Sequence, residues 1–382
     1  MSNNFQELLS SPDISVRINA IKQFDDPSIP AKERANLFRL ASEDVYYEIR
    51  EAVAQMIHTQ PINDVIESLL HDQVPQVRIA TIKNSEKIRR AMNNDYILEL
   101  MKDNVKDPVA SVRCALADII HQHTFLTAQT QNEKAQTDEN LLETFTRTKL
   151  NDIFLQNGLL LDPNDDVRIA ASNNYRYFIS NLGFDFVFCR LYNSLHVMFI
   201  DSQWRIRTNA AELVFALSML SETDYFDEYL YPFIEKFLLD SCQKVRDYTI
   251  SSLPTLVEHF CMHENGEKDM TWLMKSLLVN LEKTYSKSDN FIYQQAYIYC
   301  LSELASYIPT QYLRNVLFLP MIRKLKATAN NDNVIILILD TLLEFKDNIH
   351  PFQKTHELKP ILDNLMINST KTIQDRAKAL LV

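Results

Sequence analysis

A chain of 382 residues with only 3 glycines has little material for the positive-φ turns of a hairpin-rich fold or for a glycine loop that cradles phosphate. Hydrophobic residues at 46% and charged residues at 23% describe a chain that buries a core rather than one that stays disordered. A net charge of −11 argues against general binding to nucleic acid or to an anionic membrane, since both need basic surface.

The opening residues MSNNFQELLSS carry no basic stretch followed by an apolar one, so no secretory signal is expected. The apolar run Val334 to Leu339 stops at Asp340, far short of a bilayer span. Cys114, Cys189, Cys242, Cys261 and Cys300 are dispersed. They read as reduced core thiols of a cytoplasmic or nuclear protein, which makes the sequon at Asn368 incidental.

Taken in chain order, the sequence is a recurrence. Ser11 leads weakly to Arg17. Then Asp44 leads to Ile49-Arg50, Asp72 to Val77-Arg78, Asp107 to Val112-Arg113, Asp162 to Val167-Arg168, Asp201 to Ile206-Arg207 and Asp240 to Val245-Arg246. Weaker members follow at Ser288 to Gln294, Asn330 to Ile336 and Asn368 to Gln374. Arg168, Arg207 and Arg246 stand at equal 39-residue intervals, room for two helices and two turns. Ala210, Leu213, Val214, Leu217 and Leu220 follow one anchor at helical steps, and Leu230, Phe233, Ile234, Phe237 and Leu238 precede the next.

Each repeat is therefore predicted to be an antiparallel helix pair with the Asp-to-Arg stretch as its internal turn. About ten such pairs make an all-α, right-curving solenoid spanning residues 1–382, roughly 100 Å long at about 10 Å per pair. The polar run TAQTQNEKAQTDEN, Thr127 to Asn140, marks an insertion or degenerate repeat near 124–145; a division into two independent domains there is the alternative. Asp at the entrance of the second helix accepts from its free N–H groups. Arg gains when it reaches the Asp of its own or the adjacent repeat, giving a row of alternating carboxylates and guanidiniums. The blander reading is a set of solvated ion pairs worth under about 1 kcal/mol each.

The two residues before the β-branched anchor are Pro75-Gln76, Ala110-Ser111, Asp165-Asp166 and Gln243-Lys244, all small or polar, but Trp204-Arg205 in one repeat. Trp and Arg are the types most enriched at interface hot spots. Against that, Trp204 folds back on its neighbour and Arg205 is a solvated charge. Tyr46-Tyr47 is a second aromatic pair in a turn, available to a different partner or packed on the N-terminal repeat.

Catalytic patterns are missing. His259 and His263 have two-ligand spacing, but Phe260 stands where a zinc protease has its general base. His121 and His123 face different directions on a helix, and Trp272 reads as core. No nucleophile elbow occurs. Neither an enzyme, a metal nor a cofactor is expected.

Helix pairs carrying D-x5-[VI]-R resemble HEAT repeats. From Gly158 to the C-terminus, the runs DSQWRIRTNAAELVFAL, YFDEYLYPFIEKFLLDSCQKVRDYTISSLPTLVEHF, NFIYQQAYIYCLSELASYIPT and ELKPILDNLMINSTKTIQDRAKALL resemble, in order, the last repeats of the scaffolding (A) regulatory subunits of protein phosphatase 2A. Residues 1 to 150 match more than one repeat of that family, and the array is shorter than usual at its front and middle. The resemblance implies a non-catalytic scaffold holding the phosphatase catalytic subunit. The contact turns it implies are Trp204 and Arg205, then Gln243 and Lys244, then Asn290, Phe291 and Tyr293, then Asp332 and Asn333. B-type regulatory subunits would dock on the shortened front. The alternative is a HEAT-repeat adaptor or transport receptor for other proteins.

Overall fold

The computed structural model describes residues 2–94, 96–124, 151–156, 158–179, 184–261, 270–283, 290–327 and 331–381. Apart from Thr124, the expected insertion near 124–145 lies outside them, as do Ser288, Asn330 and His263. Among the described residues there is no strand. The chain forms two compact units, Met1–Asn209 and Ala210–Val382, with the boundary inside helix Trp204–Ser218.

In the first unit, Ser2–Leu9 pairs with Ile14–Ile21, Ala31–Ser42 with Tyr47–Met56, Asn63–Leu70 with Pro75–Lys83, and Tyr96–Met101 is followed by Ala110–Ile119. The short segments Asn151–Gln156 and Leu159–Leu161 lead into Asp165–Asn173. The second helices pack in sequence, Ile14–Ile21 on Tyr47–Met56, that on Pro75–Lys83, then Ala110–Ile119, then Asp165–Asn173. The residue before each Arg explains the packing: Ile49, Val77, Val112 and Val167 are fully buried. Each is followed three residues on by Ala52, Ala80, Ala115 or Ala170, also buried. A stiff branched plug and a small residue on one helical stripe let neighbouring helices approach closely.

The Asp side chains do not cap the helices directly. Each stands ahead of the helix and closes the turn, accepting from the backbone N–H two residues on. The donors are Tyr46 to Asp44 at 2.9 Å, Val74 to Asp72 at 2.8 Å, Val109 to Asp107 at 2.9 Å, Asn164 to Asp162 at 2.8 Å, Gln203 to Asp201 at 2.8 Å and Cys242 to Asp240 at 2.7 Å. This is a side chain mimicking a backbone turn. The cap position itself falls to Tyr46, Val74, Val109 and Asn164, of which Asn164 accepts from Asp166 and Val167.

Each of Arg50, Arg78, Arg113 and Arg168 then bridges two repeats. Its Nε and Nη2 fork onto the carboxylate of the next repeat: Arg50 onto Asp72 at 2.6 and 2.9 Å, Arg78 onto Asp107 at 2.7 and 2.8 Å, Arg113 onto Asp162 at 2.5 and 3.0 Å, and Arg168 onto Asp201 at 2.7 and 3.2 Å. Its Nη1 donates to the carbonyl of the Asp of its own repeat. Arg50 reaches Asp44 at 2.7 Å, Arg78 Asp72 at 2.6 Å, Arg113 Asp107 at 2.6 Å, Arg168 Asp162 at 2.8 Å, Arg207 Asp201 at 2.8 Å and Arg246 Asp240 at 2.6 Å. Arg17 pairs with Asp44 in the same sense. Burial pushes the Asp72 and Asp162 carboxyls up, but the Arg50 and Arg113 guanidiniums and the turn N–H groups outweigh it and hold both below the ordinary carboxylate value.

A second bridge joins the far ends of these helices. Asn84 and Asn174, each six residues after an Arg, donate to the carbonyls of Ala54 at 2.9 Å and Ala117 at 2.8 Å in the preceding repeat.

In the second unit, the helices Gln243–Cys261, Phe291–Ala305, Asp332–Glu344 and Lys371–Leu381 pack in succession. Their partners each contain a π-helical turn, Phe226–Leu230, Leu273–Leu277, Arg314–Phe318 and Gln353–Leu358. Pro232, Pro320 and Pro360 follow three of these turns closely. Proline has no N–H to give and crowds the carbonyl four residues back, so a widened turn relieves it. The Arg position is taken by Gln294, Ile335 and Gln374. Helix register picks Ile335 rather than Ile336, because the Ile335 N–H bonds to the Asn331 carbonyl at 3.1 Å as Gln294 does to Asn290 at 3.1 Å.

Breaking a buried bridge from one side leaves an uncompensated charge. Arg78 and Asp107 are both buried, whereas the Arg39–Asp64 pair is exposed. Asp107→Ala is expected to destabilise the chain by about 3 kcal/mol and Asp64→Ala by less than about 1 kcal/mol, measured by urea unfolding followed by circular dichroism.

Candidate functional site

Because Asp and Arg fix the backbone of each internal turn, the first residues of the second helix project from it. In the first unit, Trp204 is half-buried and Arg205 exposed at the start of Trp204–Ser218. The Arg205 guanidinium carbon lies 4.9 Å from the centroid of the Trp204 ring, a cation–π contact on the surface. The turn is braced from the preceding repeat, where the Asp165 carboxylate accepts from Arg168 at 2.7 Å and from the Gln203 amide. A second exposed apolar turn lies nearer the front. Val45 is 89% exposed, Tyr46 and Tyr47 are also exposed, and the Arg17 guanidinium sits 5.7 Å from the Tyr46 ring.

In the second unit, Gln243 and Lys244 are exposed at the head of Gln243–Cys261. Asn290 caps Phe291–Ala305, accepting from the Ile292 N–H at 2.9 Å. Phe291 and Ile292 are exposed and Tyr293 is half-buried. Asn331 caps Asp332–Glu344 through the Val334 N–H at 3.4 Å, leaving Asp332 and Asn333 exposed. These three turns head successive, mutually packed helices. Phe291 contributes little to the core of its helix, where Gln294, Ala296, Tyr297 and Ile298 are buried instead.

Polar chemistry elsewhere is structural. His121 stacks on Tyr177 at 4.1 Å with its Nδ1 3.2 Å from the Asn174 carboxamide oxygen. His259 lies 4.7 Å from Phe260, and Trp272 packs on Phe226 and Phe260 while its Nε1 donates to Asp227 at 3.4 Å. Burial pushes the thiols of Cys114 and Cys300 up, away from reactivity. Among the described residues, no cluster of three or more His, Cys, Asp or Glu side chains could hold a metal, and no helix is long and apolar enough to cross a membrane.

Sequence reading missed one polar cluster, at the end of the fourth helix pair. Arg89 and His123 are fully buried, Arg89 donates to the His123 carbonyl, Ser85 Oγ lies 2.9 Å from His123 Nε2, and Glu86 Oε2 lies 3.4 Å from His123 Nδ1. Only the tertiary packing brings residues 85–89 against residue 123, so no local spacing announces it.

No family model and no curated protein matches this chain. Solved structures do. The karyopherin Kap121p bound to the extreme C-terminus of the protein phosphatase Cdc14p aligns with a TM-score of 0.63 and 12% identity, over 99% of this chain and 41% of that one. Kap121p bound to Ste12p gives 0.61 at 13% identity, over 100% and 41%. Kap95p, which binds RanGDP, gives 0.52 at 13% identity, over 100% and 50%. The molecule therefore has the all-α HEAT-repeat solenoid fold. It spans about two fifths of the length of the Kap121p chains it matches.

The buried cluster makes folding pH-dependent. Burial, with Arg89 and His121 nearby, pushes His123 from its ordinary value of 6.5 down to about 3, so it is neutral when folded. The unfolded chain takes up that proton near 6.5, so the stability His123 contributes is present above this pH and is lost as pH falls toward 3. Between pH 7 and pH 5 the loss from this residue is about 2 kcal/mol. His123→Gln is expected to flatten the curve by that amount in urea titrations at the two pH values, and an unchanged slope would show that the ring is solvated.

Proposed function

We propose that this chain is a non-catalytic adaptor that binds other proteins through the side chains at the internal turns of its helix pairs. The observation that carries the reading is the stack of exposed Arg205 on half-buried Trp204, set where the turns at Pro75-Gln76, Ala110-Ser111, Asp165-Asp166 and Gln243-Lys244 carry small or polar residues. Exposed Gln243, Lys244, Asn290, Phe291, Asp332 and Asn333, with half-buried Tyr293, extend the set within the second unit. Rigid aromatic area combined with forked donors is what protein interfaces concentrate at their energetic centres. It works in the cytoplasm or the nucleus.

Two partner classes have support. The fold likeness favours a transport-receptor type of adaptor: solved neighbours hold the extreme C-terminus of Cdc14p, Ste12p and Nup53p. The sequence resemblance from Gly158 onward supports a scaffold for the catalytic subunit of a type 2A serine/threonine phosphatase, with a B-type regulatory subunit held by the earlier repeats. Neither reading involves nucleic acid or a membrane.

Direct capture separates them. The immobilised full chain is presented with purified type 2A catalytic subunit and, separately, with Ran loaded with GTP. The scaffold reading expects capture of the phosphatase and a loss on the order of 100-fold in affinity for Trp204→Ala with Arg205→Ala, at unchanged helicity. Capture of Ran alone supports the receptor, while binding indifferent to the double substitution removes Trp204 and Arg205 from the interface.

A further inference from the structure

The residue immediately before each ladder Asp stands at an exposed corner of its turn. In the first unit that position holds Glu43, His71 and Lys106 at the earlier turns, and Leu161 and Ile200 at the later ones. The fold accepts charge there, so an aliphatic side chain is not needed to complete a core. Leu161 is nonetheless 61% exposed and Ile200 78% exposed. A lone exposed aliphatic on a protein surface means little, but several on adjoining turns mark a contact surface. Ile200 also heads the turn that carries Trp204 and Arg205.

The Leu161 and Ile200 turns are locked to one another. Arg168 donates to the Asp162 carbonyl at 2.8 Å in the first, and to the Asp201 carboxylate at 2.7 and 3.2 Å and Ser202 Oγ at 3.4 Å in the second. The Gln203 amide donates back to Asp165. Leu161 is anchored by its own N–H, which reaches the Gly158 carbonyl at 3.0 Å, and the Asp201 N–H spans Ile200 to reach the Met198 carbonyl at 3.3 Å. Projecting side chains on a backbone braced in this way form a convex edge that loses little freedom on binding. One charge on the edge is open. Arg205 stacks on Trp204 but forms no ion pair among the described residues, whereas the Asp165 and Asp201 carboxylates are engaged by Arg168.

We infer that Leu161, Ile200, Trp204 and Arg205 form one docking edge for a folded protein partner that presents an apolar groove with a carboxylate at its rim. The aliphatic pair enters the groove, Trp204 covers its margin, and Arg205 takes the carboxylate as a forked pair. The inference rests on the turn-mediated binding proposed above and extends it by one repeat, to positions ahead of the helices. A rigid convex edge calls for a concave surface that is already ordered, which a flexible segment lacks. The open guanidinium, in a chain whose net charge is −11, makes this edge a local acceptor of negative charge on an otherwise acidic molecule.

The test measures binding of the full chain to purified type 2A phosphatase catalytic subunit, the partner that the sequence resemblance supports, by surface plasmon resonance. Leu161→Gln with Ile200→Gln removes the aliphatic area without adding charge. Leu161→Glu with Ile200→Lys installs the residue types that Glu43 and Lys106 already place at this position, so both pairs are expected to keep the helicity of the unsubstituted chain. Each pair is expected to weaken binding about 10-fold or more. Arg205→Gln is expected to weaken binding and to flatten its salt dependence between roughly 0.05 and 0.5 M. Binding that falls with Trp204→Ala and Arg205→Ala but is indifferent to both pairs at Leu161 and Ile200 overturns this inference and leaves the turn-mediated reading standing. Absence of binding by the unsubstituted chain overturns the scaffold reading and this inference with it, and a salt dependence unchanged by Arg205→Gln overturns the carboxylate. Self-association of the unsubstituted chain that either pair abolishes, seen by sedimentation velocity, would assign the edge to a second copy instead.

Discussion

The forked bond from each guanidinium to the carboxylate of the next repeat is the constraint on which the first unit depends. Two donors of Arg78 face Asp107 and a third faces the Asp72 carbonyl, so one planar group reads the position of two turns at once. Asp107 in turn is oriented by the Val109 N–H. The same carboxylate therefore closes a local turn and fixes a non-local register. Replacing a buried ion pair of this type by well-packed apolar residues is often neutral or stabilising. The burial of Val77, Val112 and Val167 with their small partners Ala80, Ala115 and Ala170 supplies apolar stabilisation, and the bridges decide how the repeats align.

That division of labour releases the residues between Asp and Arg. Backbone N–H, carbonyl and charged groups hold each turn, so the side chains at its outer corner are free to vary without altering the fold. Pro75-Gln76, Asp165-Asp166 and Trp204-Arg205 occupy equivalent places on equivalent backbones. Beyond Arg246 the arrangement changes. Gln294 and Ile335 cannot fork onto a carboxylate, and Asn290 and Asn331 cap their own helices instead. Local capping takes over from bridging there, in the turns that expose Phe291, Ile292, Asp332 and Asn333.

The repeat was legible because its signature is short-range: Asp, a branched residue and Arg sit within one turn, and the helical steps around them reveal the pairs. Which carboxylate each Arg would choose was open, since its own Asp and that of the next repeat are both chemically suitable. Packing decides it, by placing the own-repeat carbonyl against Nη1 and the neighbouring carboxylate against Nε and Nη2. Asn84 and Asn174 were readable in principle, six residues after Arg in RIATIKN and RIAASNN, but two occurrences are a weak periodicity. The exposure of Phe291 was not legible, because an aromatic near the start of an apolar helix satisfies the core pattern equally well.

The buried polar cluster around His123 belongs to the architecture of the first unit rather than to its surface. Around His123 each group faces another: Arg89 meets the His123 carbonyl, Ser85 meets Nε2, and Glu86, its carboxyl raised by burial, lies beside Nδ1 and accepts from Arg90 at 2.6 Å. Polar groups that face one another in low dielectric specify a single packing.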